Sequence, residues 1–120
     1  MLALIAGRGA LPRAVAEAQT RAPMVCAVRG TRPDGLTVDR EIRLETLGTT
    51  LADLPALGVT QVCMCGAIDR PAVDPSALDA ATLPLVPQIM QALAQGDDGA
   101  LRVVIALFGA AGLQVIGAAE

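Results

Sequence analysis

The sequence predicts an α/β fold, a Rossmann-like three-layer domain with a mainly parallel sheet. Apolar runs of strand length alternate with helical patterns along the 120 residues, and this alternation is typical of parallel βαβ units. The first apolar run ends in a Gly-x-Gly turn that leads into an amphipathic stretch. Hydrophobic residues make up 53% of the chain, but Phe108 is the only aromatic one. The core is therefore expected to consist of small aliphatic side chains packed between helices and sheet.

The N-terminal segment predicts a strand over residues 1–6, a tight turn over 7–9 and a helix over 11–21. Pro12 suits a first helical turn, where its missing N–H costs nothing. The apolar side of this helix is expected to carry Leu11, Val15 and Ala18.

The turn itself, Gly7-Arg8-Gly9, is a candidate anion-binding loop. Two glycines allow the backbone to approach a ligand closely, and unpaired N–H groups follow at the helix start. A tight turn without a ligand is the alternative, and Arg8 could contact either a phosphate or solvent. The dinucleotide fingerprint is not met, because Pro12 replaces its third glycine and Arg29 stands where an acidic residue is expected. We therefore exclude a plain NAD-binding domain and retain a phosphorylated ligand.

The other elements follow in order. Strands are predicted over Pro23–Val28, 40–44, Gln61–Cys65 and Leu113–Ile116, with a polar turn over 30–35 and a helix near 48–57 that Gly58 ends. Helical structure is expected over about 76–110, with breaks near Pro84, Pro87 and Gly96. Capping or turn roles are expected for Thr46, Asp74, Ser76 and Asp79.

Ligands of parallel sheets bind where the strands end, so the turns after the first, second and fourth strands should converge.

Two further motifs could line that edge of the sheet. Gly66 begins a loop that carries Arg70, which could bind a phosphate or form an ion pair within a solvated turn. Asp97 and Asp98 precede an apolar helix. Paired carboxylates can hold Mg²⁺ on a diphosphate, but aspartate also caps helices, and capping is the favoured interpretation.

Missing residue types narrow the chemistry. The chain has no His, Lys, Tyr or Trp, which excludes a histidine base, a Schiff-base lysine and a His-ligated metal. A net charge of −3 argues against nucleic acid as a partner.

Cys26, Cys63 and Cys65 are expected to be reduced thiols that serve as small core residues. No apolar stretch is long enough to predict a membrane span.

Four motifs, in this order and spacing, resemble the LpxI family of UDP-2,3-diacylglucosamine pyrophosphatases. They are Ala6-Gly7-x-Gly9-x-Leu11-Pro12, Gly66-x-Ile68-x-Arg70-Pro71, Asp79-Ala-Ala-Thr82-Leu83-Pro84, and Gly96-Asp97-Asp98 with Arg102. The resemblance covers essentially the whole chain.

The resemblance implies hydrolysis of UDP-2,3-diacylglucosamine to UMP and 2,3-diacylglucosamine 1-phosphate in lipid A biosynthesis, by water and with Mg²⁺. It implies that residues 1–120 are a single N-terminal domain, that the catalytic C-terminal domain is absent from this chain, and that this chain alone turns over little substrate. The implied substrate-binding residues are Gly7, Arg8, Gly9, Gly66, Arg70, Asp97 and Asp98. No catalytic residue or metal ligand is assigned to them.

The expected partners are the glycolipid nucleotide, the C-terminal domain and a second copy of the chain. The expected location is the cytoplasm, with peripheral contact at the inner membrane as an open alternative. The rival interpretations are a non-catalytic nucleotide- or phosphate-binding module and a scaffold domain whose glycine turn is merely tight.

Overall fold

A five-stranded parallel sheet organises the part of the chain that the structure describes. The structure is a computed structural model that describes residues 1–66, 73–94 and 97–116, the last without the side chains of 97–101. The strands are β1 (Leu2–Ala6), β2 (Met24–Val28), β3 (Arg40–Ile42), β4 (Gln61–Cys65) and β5 (Gln114–Ile116). Their order in the sheet is β3-β2-β1-β4-β5, and every neighbouring pair is parallel. The predicted α/β fold is confirmed.

The helices lie on both faces of this sheet. They are α1 (Leu11–Ala18), α2 (Leu47–Ala56), α3 (Val86–Ala94) and α4 (Asp97–Ala110), with 3-10 turns at Leu44–Thr46, Pro75–Ala77 and Leu83–Leu85. None of these described helices combines the length and the apolar character that crossing a bilayer requires.

Strand β1 shows why the domain has three layers. Ala3 and Ile5 point into a core cluster that also contains buried residues of α2, α3 and α4. Leu4 and Ala6 point the opposite way, into a second cluster with Val15 of α1. Successive side chains of a strand alternate between its faces, and a central parallel strand covered on both faces has to be apolar throughout. Phe108 belongs to the first cluster and is 2% exposed.

Helix α1 ends earlier than its sequence pattern predicts. It stops at Ala18 because Gln19 takes an extended conformation. The Gln19 side-chain amide then donates to the Val15 carbonyl at 3.1 Å, in place of a further turn of backbone. Of the predicted apolar face, Val15 is buried as expected, but Leu11 and Ala18 are exposed and Pro12 is buried instead.

The connection after β3 corrects the prediction of a strand over 40–44. The strand ends at Ile42, and a 3-10 turn over Leu44–Thr46 leads directly into α2. The end of α2 agrees with the prediction, because Gly58 has a φ of +92° and the Val59 N–H returns to the Leu54 carbonyl at 3.0 Å.

The sequence predicted a helix break near Pro87, but Pro87 lies within a helix and does not break it. It is the second residue of α3, a position where no helical carbonyl needs its missing N–H. Pro84 lies in the preceding 3-10 turn. The predicted break near Gly96 lies outside the described residues.

The three cysteines are buried free thiols, as predicted. Cys26 packs in the first core cluster, and Cys63 and Cys65 pack in the second. Burial raises the pKa of Cys26 to about 11, and burial together with neighbouring Cys63 raises that of Cys65 to about 11. Thiols with such pKa values remain protonated at neutral pH and are poor nucleophiles.

Candidate functional site

The glycine turn (residues 7–9) continues directly from the pairing of β1 with β4. The Gly7 N–H donates to the Cys65 carbonyl at 2.8 Å, so the turn begins as an extension of the sheet. Gly7 is buried, whereas Arg8 and Gly9 are exposed. Gly9 has a φ of +107°, a conformation that L side chains rarely adopt. The chain therefore leaves the sheet and enters α1 over very few residues.

Gly66 packs directly against this turn. A Cβ atom at Gly66 would lie 2.8 Å from the Arg8 carbonyl oxygen and 2.8 Å from Pro12 Cγ. Its φ of +86° also requires glycine. The ends of β1 and β4 can meet this closely only because position 66 has no side chain. The structure thus brings together two of the motifs that the sequence predicts to converge.

The meeting point lies where ligands bind in open parallel sheets. From β1 the sheet extends through β2 and β3 on one side and through β4 and β5 on the other. The strand order therefore reverses between β1 and β4, and the crevice outside the carboxyl ends of such strands is the usual ligand site. We call this side of the sheet the carboxyl edge. The glycine turn and Gly66 both lie there.

An acidic side chain that sequence reasoning missed also contacts the turn. Asp34 Oδ2 accepts the Gly9 N–H at 2.8 Å, although the two residues are 25 positions apart. The sequence signal was an acidic residue in the polar turn after β2. The dinucleotide pattern places its acidic residue at the end of the second strand, and Asp34 lies further along the chain, within the turn.

An open cleft of about 460 Å³ lies beside this contact. Its lining consists of Gly9, Ala10, Arg13, Ala14, Glu17, Asp34 and Gly35. Arg13 Nε donates to Glu17 Oε1 at 2.9 Å, so the guanidinium charge in the cleft is already paired. Arg29, which the sequence placed at the end of β2, is exposed.

The remaining predicted site residues are only partly described. Arg70 lies outside the described residues. Asp97 and Asp98 occupy the first turn of α4, and their side chains are likewise outside the description. Helix α4 ends just before β5 begins. Because a helix between parallel strands runs antiparallel to them, the first turn of α4 lies toward the carboxyl edge.

A buried polar network supports the same edge. Thr82 is completely buried, and its hydroxyl donates to Asp79 Oδ1 at 2.6 Å and accepts the Gly48 N–H at 2.9 Å. Thr49 donates to the other carboxylate oxygen of Asp79. Thr46 precedes α2, but its side chain makes no capping hydrogen bond. The expected Thr46 cap is therefore wrong, because Thr82 serves the start of α2 from a distant part of the chain.

Glu45 and Asp74 join the 3-10 turn after β3 to the segment after β4. The Glu45 side chain is buried, and its Oε2 accepts the Asp74 N–H at 3.3 Å and an Arg43 N–H at 3.4 Å. Burial raises the pKa of Glu45, but hydrogen bonds from its own N–H and that of Asp74, together with Arg43, lower it to a net value below 4.5. Asp74 also accepts the N–H and hydroxyl of Ser76, which confirms its predicted capping role and lowers its pKa.

Asp79 is an anchor as well as a turn residue. Hydrogen bonds from the Thr49 and Thr82 hydroxyls hold the pKa of its carboxyl below the usual value of 3.8. Its own N–H donates to the Glu45 carbonyl at 3.1 Å. The network fixes the segment after β4 to the start of α2 and to the 3-10 turn after β3.

The described residues do not fit a metal ion by themselves. Among residues 1–66, 73–94 and 97–116, no three Asp, Glu, Cys or His side chains are grouped in a way that could hold one. A metal ion at this edge would therefore need ligands from outside the described residues.

Comparison with known proteins assigns the chain to a family. The sequence model described as the LpxI N-terminal domain matches residues 1–120. A relative from Caulobacter vibrioides, named UDP-2,3-diacylglucosamine pyrophosphatase LpxI, is 35% identical over 126 aligned residues. That alignment covers 99% of this chain and 44% of the relative, so the chain spans less than half the length of the protein it matches. This chain belongs to the LpxI N-terminal domain family.

Proposed function

We propose that this chain is the nucleotide-binding part of an enzyme that hydrolyses UDP-2,3-diacylglucosamine in lipid A biosynthesis. The observation that carries the proposal is the close packing of Gly66 on the glycine turn at the strand-order reversal. Open parallel sheets bind ligands at such a reversal, and glycines there let a ligand approach the backbone closely. The family assignment supports the choice of ligand.

We further propose that catalysis needs a second domain. The Caulobacter relative extends well beyond the region that aligns with this chain. Among the described residues, the thiols of Cys26 and Cys65 are buried and protonated, and the carboxylates of Glu45 and Asp79 are already hydrogen-bonded within the fold. None of these groups is suited to activate water. This chain would bind and orient the UDP portion, while the second domain would contribute the groups that act on the diphosphate.

The proposed reaction breaks one phosphorus–oxygen bond of the diphosphate. Water attacks the α-phosphorus and becomes part of UMP, and the β-phosphate leaves on the sugar as 2,3-diacylglucosamine 1-phosphate. When bound, Mg²⁺ would neutralise charge that develops on the diphosphate oxygens. We propose that its ligands come mainly from the second domain.

The substrate class also suggests where the protein works. A glycolipid nucleotide with two acyl chains is held at a membrane surface, because burial of the acyl chains in the bilayer is favourable. We propose a cytoplasmic protein that meets its substrate peripherally at the inner membrane.

The test is hydrolysis of UDP-2,3-diacylglucosamine with Mg²⁺, followed by release of UMP. This chain is compared with the same chain carrying its native downstream sequence, each with and without EDTA. We expect activity only in the longer protein and only with the metal. Equal rates for both proteins would overturn the division of labour between domains. Activity in neither would overturn the enzymatic proposal and favour a non-catalytic nucleotide-binding module.

A further inference from the structure

The Gly9 N–H, which a bound phosphate would be expected to use, already has an anionic partner. Asp34 Oδ2 accepts it at 2.8 Å. A backbone N–H has one hydrogen to donate. A phosphate at this position would have to displace a carboxylate that is covalently part of the protein and therefore always nearby.

The loop that carries Asp34 is anchored rather than free to swing away. The Thr31 N–H donates to the Val28 carbonyl at 3.0 Å where the loop begins. Where it ends, the Asp39 N–H donates to the Val25 carbonyl at 2.8 Å, and Asp39 Oδ2 accepts the Val25 N–H at 2.8 Å. Thr31 and Pro33 are buried within it. These contacts hold Asp34 at the glycine turn.

Close packing fixes the loop from its other side as well. Gly35 has a φ of +69°, and a Cβ atom there would lie 3.1 Å from a guanidinium nitrogen of Arg13. The loop and α1 are therefore in direct contact immediately after Asp34. This contact forms one wall of the cleft.

Charge in the cleft also disfavours a phosphate. Its lining contains one arginine, Arg13, against two carboxylates, Glu17 and Asp34. The arginine is paired with Glu17 at 2.9 Å, which leaves the charge of Asp34 uncompensated within the lining. A phosphate beside Asp34 would meet like charge, whereas a hydroxyl group could donate to it.

Asp34 has an oxygen available for such a donor. Oδ2 accepts the Gly9 N–H, while Oδ1 has no hydrogen-bond partner among the residues that the structure describes. An ionised carboxylate is an acceptor only and forms strong charge-assisted hydrogen bonds with hydroxyl donors. Carboxylates after the second strand of dinucleotide-binding sheets accept ribose hydroxyls in this way.

We propose that Asp34 makes this end of the carboxyl edge a hydroxyl-binding subsite. Asp34 Oδ1 accepts a ribose hydroxyl of the nucleoside diphosphate, and the phosphates lie away from Gly9, toward the crevice between β1 and β4. This inference rests on the proposed nucleotide-binding function. It makes Asp34 a specificity-determining residue that favours a nucleotide carrying ribose hydroxyls over one that lacks them.

The experiment measures binding to the full chain by calorimetry, with UDP, 2′,3′-dideoxy-UDP and inorganic phosphate as probes. For the unaltered chain we expect UDP to bind about tenfold more tightly than the dideoxy analogue, the typical loss of a hydrogen bond to a charged group. Asp34→Ala should reduce that ratio to about one. Glu41→Gln, which alters an exposed carboxylate outside the lining of the cleft, should preserve the ratio.

Asp34→Asn keeps an oxygen for the Gly9 N–H but removes the charge, and it should give an intermediate ratio. Inorganic phosphate should not compete with UDP in the cleft of the unaltered chain, as followed by the amide resonance of Gly9. The inference is overturned, and the nucleotide-binding proposal kept, if UDP binds but the ratio does not depend on Asp34 or if phosphate shifts that resonance. Failure of the unaltered chain to bind either nucleotide would overturn both.

Discussion

The hydroxyl of Thr82 accepts the N–H of Gly48 at 2.9 Å, across 34 positions of sequence. Gly48 is the second residue of α2, so no carbonyl of its own helix can accept this N–H. The segment that follows β4 thus caps the helix that precedes β4. That contact, together with Asp79, holds the described segment that begins at residue 73 against the start of α2.

Position 48 should tolerate no side chain. A Cβ atom there would overlap the carbonyl of Ala81 and lie 2.8 Å from the Thr82 nitrogen, and both are backbone atoms. We expect Gly48→Ala to lower the free energy of unfolding by about 2–4 kcal/mol, measured by urea denaturation. Gly109→Ala is the matched control, because Gly109 also lies in a helix but has open space around it. A loss at Gly109 as large as that at Gly48 would contradict the packing argument.

Thr82 should matter through its hydroxyl. Thr82→Val keeps the shape of the side chain but leaves the Gly48 N–H without its buried partner and removes one of the two hydrogen bonds from Thr82 to Asp79 Oδ1. The expected loss of unfolding free energy is about 1–3 kcal/mol. Thr82→Ser keeps the hydroxyl and should lose less, in the same urea experiment. If the serine variant proves the weaker of the two, the methyl group rather than the hydroxyl is the important part of Thr82.

Stability should fall in acid. The pKa values of Glu45, Asp74 and Asp79 are lowered in the folded chain from 4.5 for the glutamate and 3.8 for the aspartates. A carboxyl with a lowered folded pKa contributes stability that is present above its unfolded pKa and lost as pH falls through the folded one. We expect the urea midpoint to decline steadily below a pH of about 4.5.

The same titration can be assigned to individual groups. Asp79→Asn and Glu45→Gln should each be less stable than the unaltered chain at pH 7 and should show a shallower decline in acid. A midpoint independent of pH between 7 and about 3 would show that these hydrogen bonds do not favour the charged carboxylates.

Gly66 allows conformational strain to be separated from crowding. Gly66→Ala and Gly58→Ala both place a side chain at a positive φ, of +86° and +92° respectively, but only Gly66 is crowded, by Arg8 and Pro12. The strain alone should cost about 1–2 kcal/mol at either position. We expect Gly66→Ala to cost more in urea denaturation and to weaken UDP binding, and Gly58→Ala to leave UDP binding unchanged. Equal effects on binding would remove Gly66 from the candidate site.

The thiols should be unreactive in the folded protein. Cys26, Cys63 and Cys65 are all buried, and the pKa of Cys26 and of Cys65 is raised to about 11. We expect negligible reaction with a thiol-specific disulfide reagent at pH 8 and full reaction of all three after unfolding in urea. Rapid reaction of one thiol under native conditions would indicate that its part of the core opens readily.

The strands were predictable because each is a short apolar run whose side chains have to be buried by packing against helices. Residues 2–6 are hydrophobic throughout, and a central parallel strand buried on both faces requires that composition. Helix ends were less predictable. The end of α1 depends on the side-chain amide of Gln19 reaching the Val15 carbonyl, and the start of α2 depends on Thr82. Neither contact changes the spacing of apolar residues along the sequence, from which helices are predicted.

The candidate site was predictable where topology alone determines it. The glycine turn and Gly66 both follow apolar strands, and parallel strands all end at the same edge of a sheet. Asp34 was not predictable by the same rule, since it lies within a loop whose path is set by contacts at both its ends. The sequence predicts the polar turn, but it does not predict that Asp34 in this turn accepts the Gly9 N–H.

Local patterns along the chain are sufficient to predict the α/β class, the parallel sheet, the buried thiols and the meeting of Gly66 with the glycine turn. These features follow from apolar runs, strand lengths and glycines, which are local properties of the chain. The tertiary structure alone decided that Asp34 holds the Gly9 N–H and that Thr82 caps α2. Such contacts join residues 25 and 34 positions apart, and their formation depends on how the loops pack once the sheet has brought their ends together.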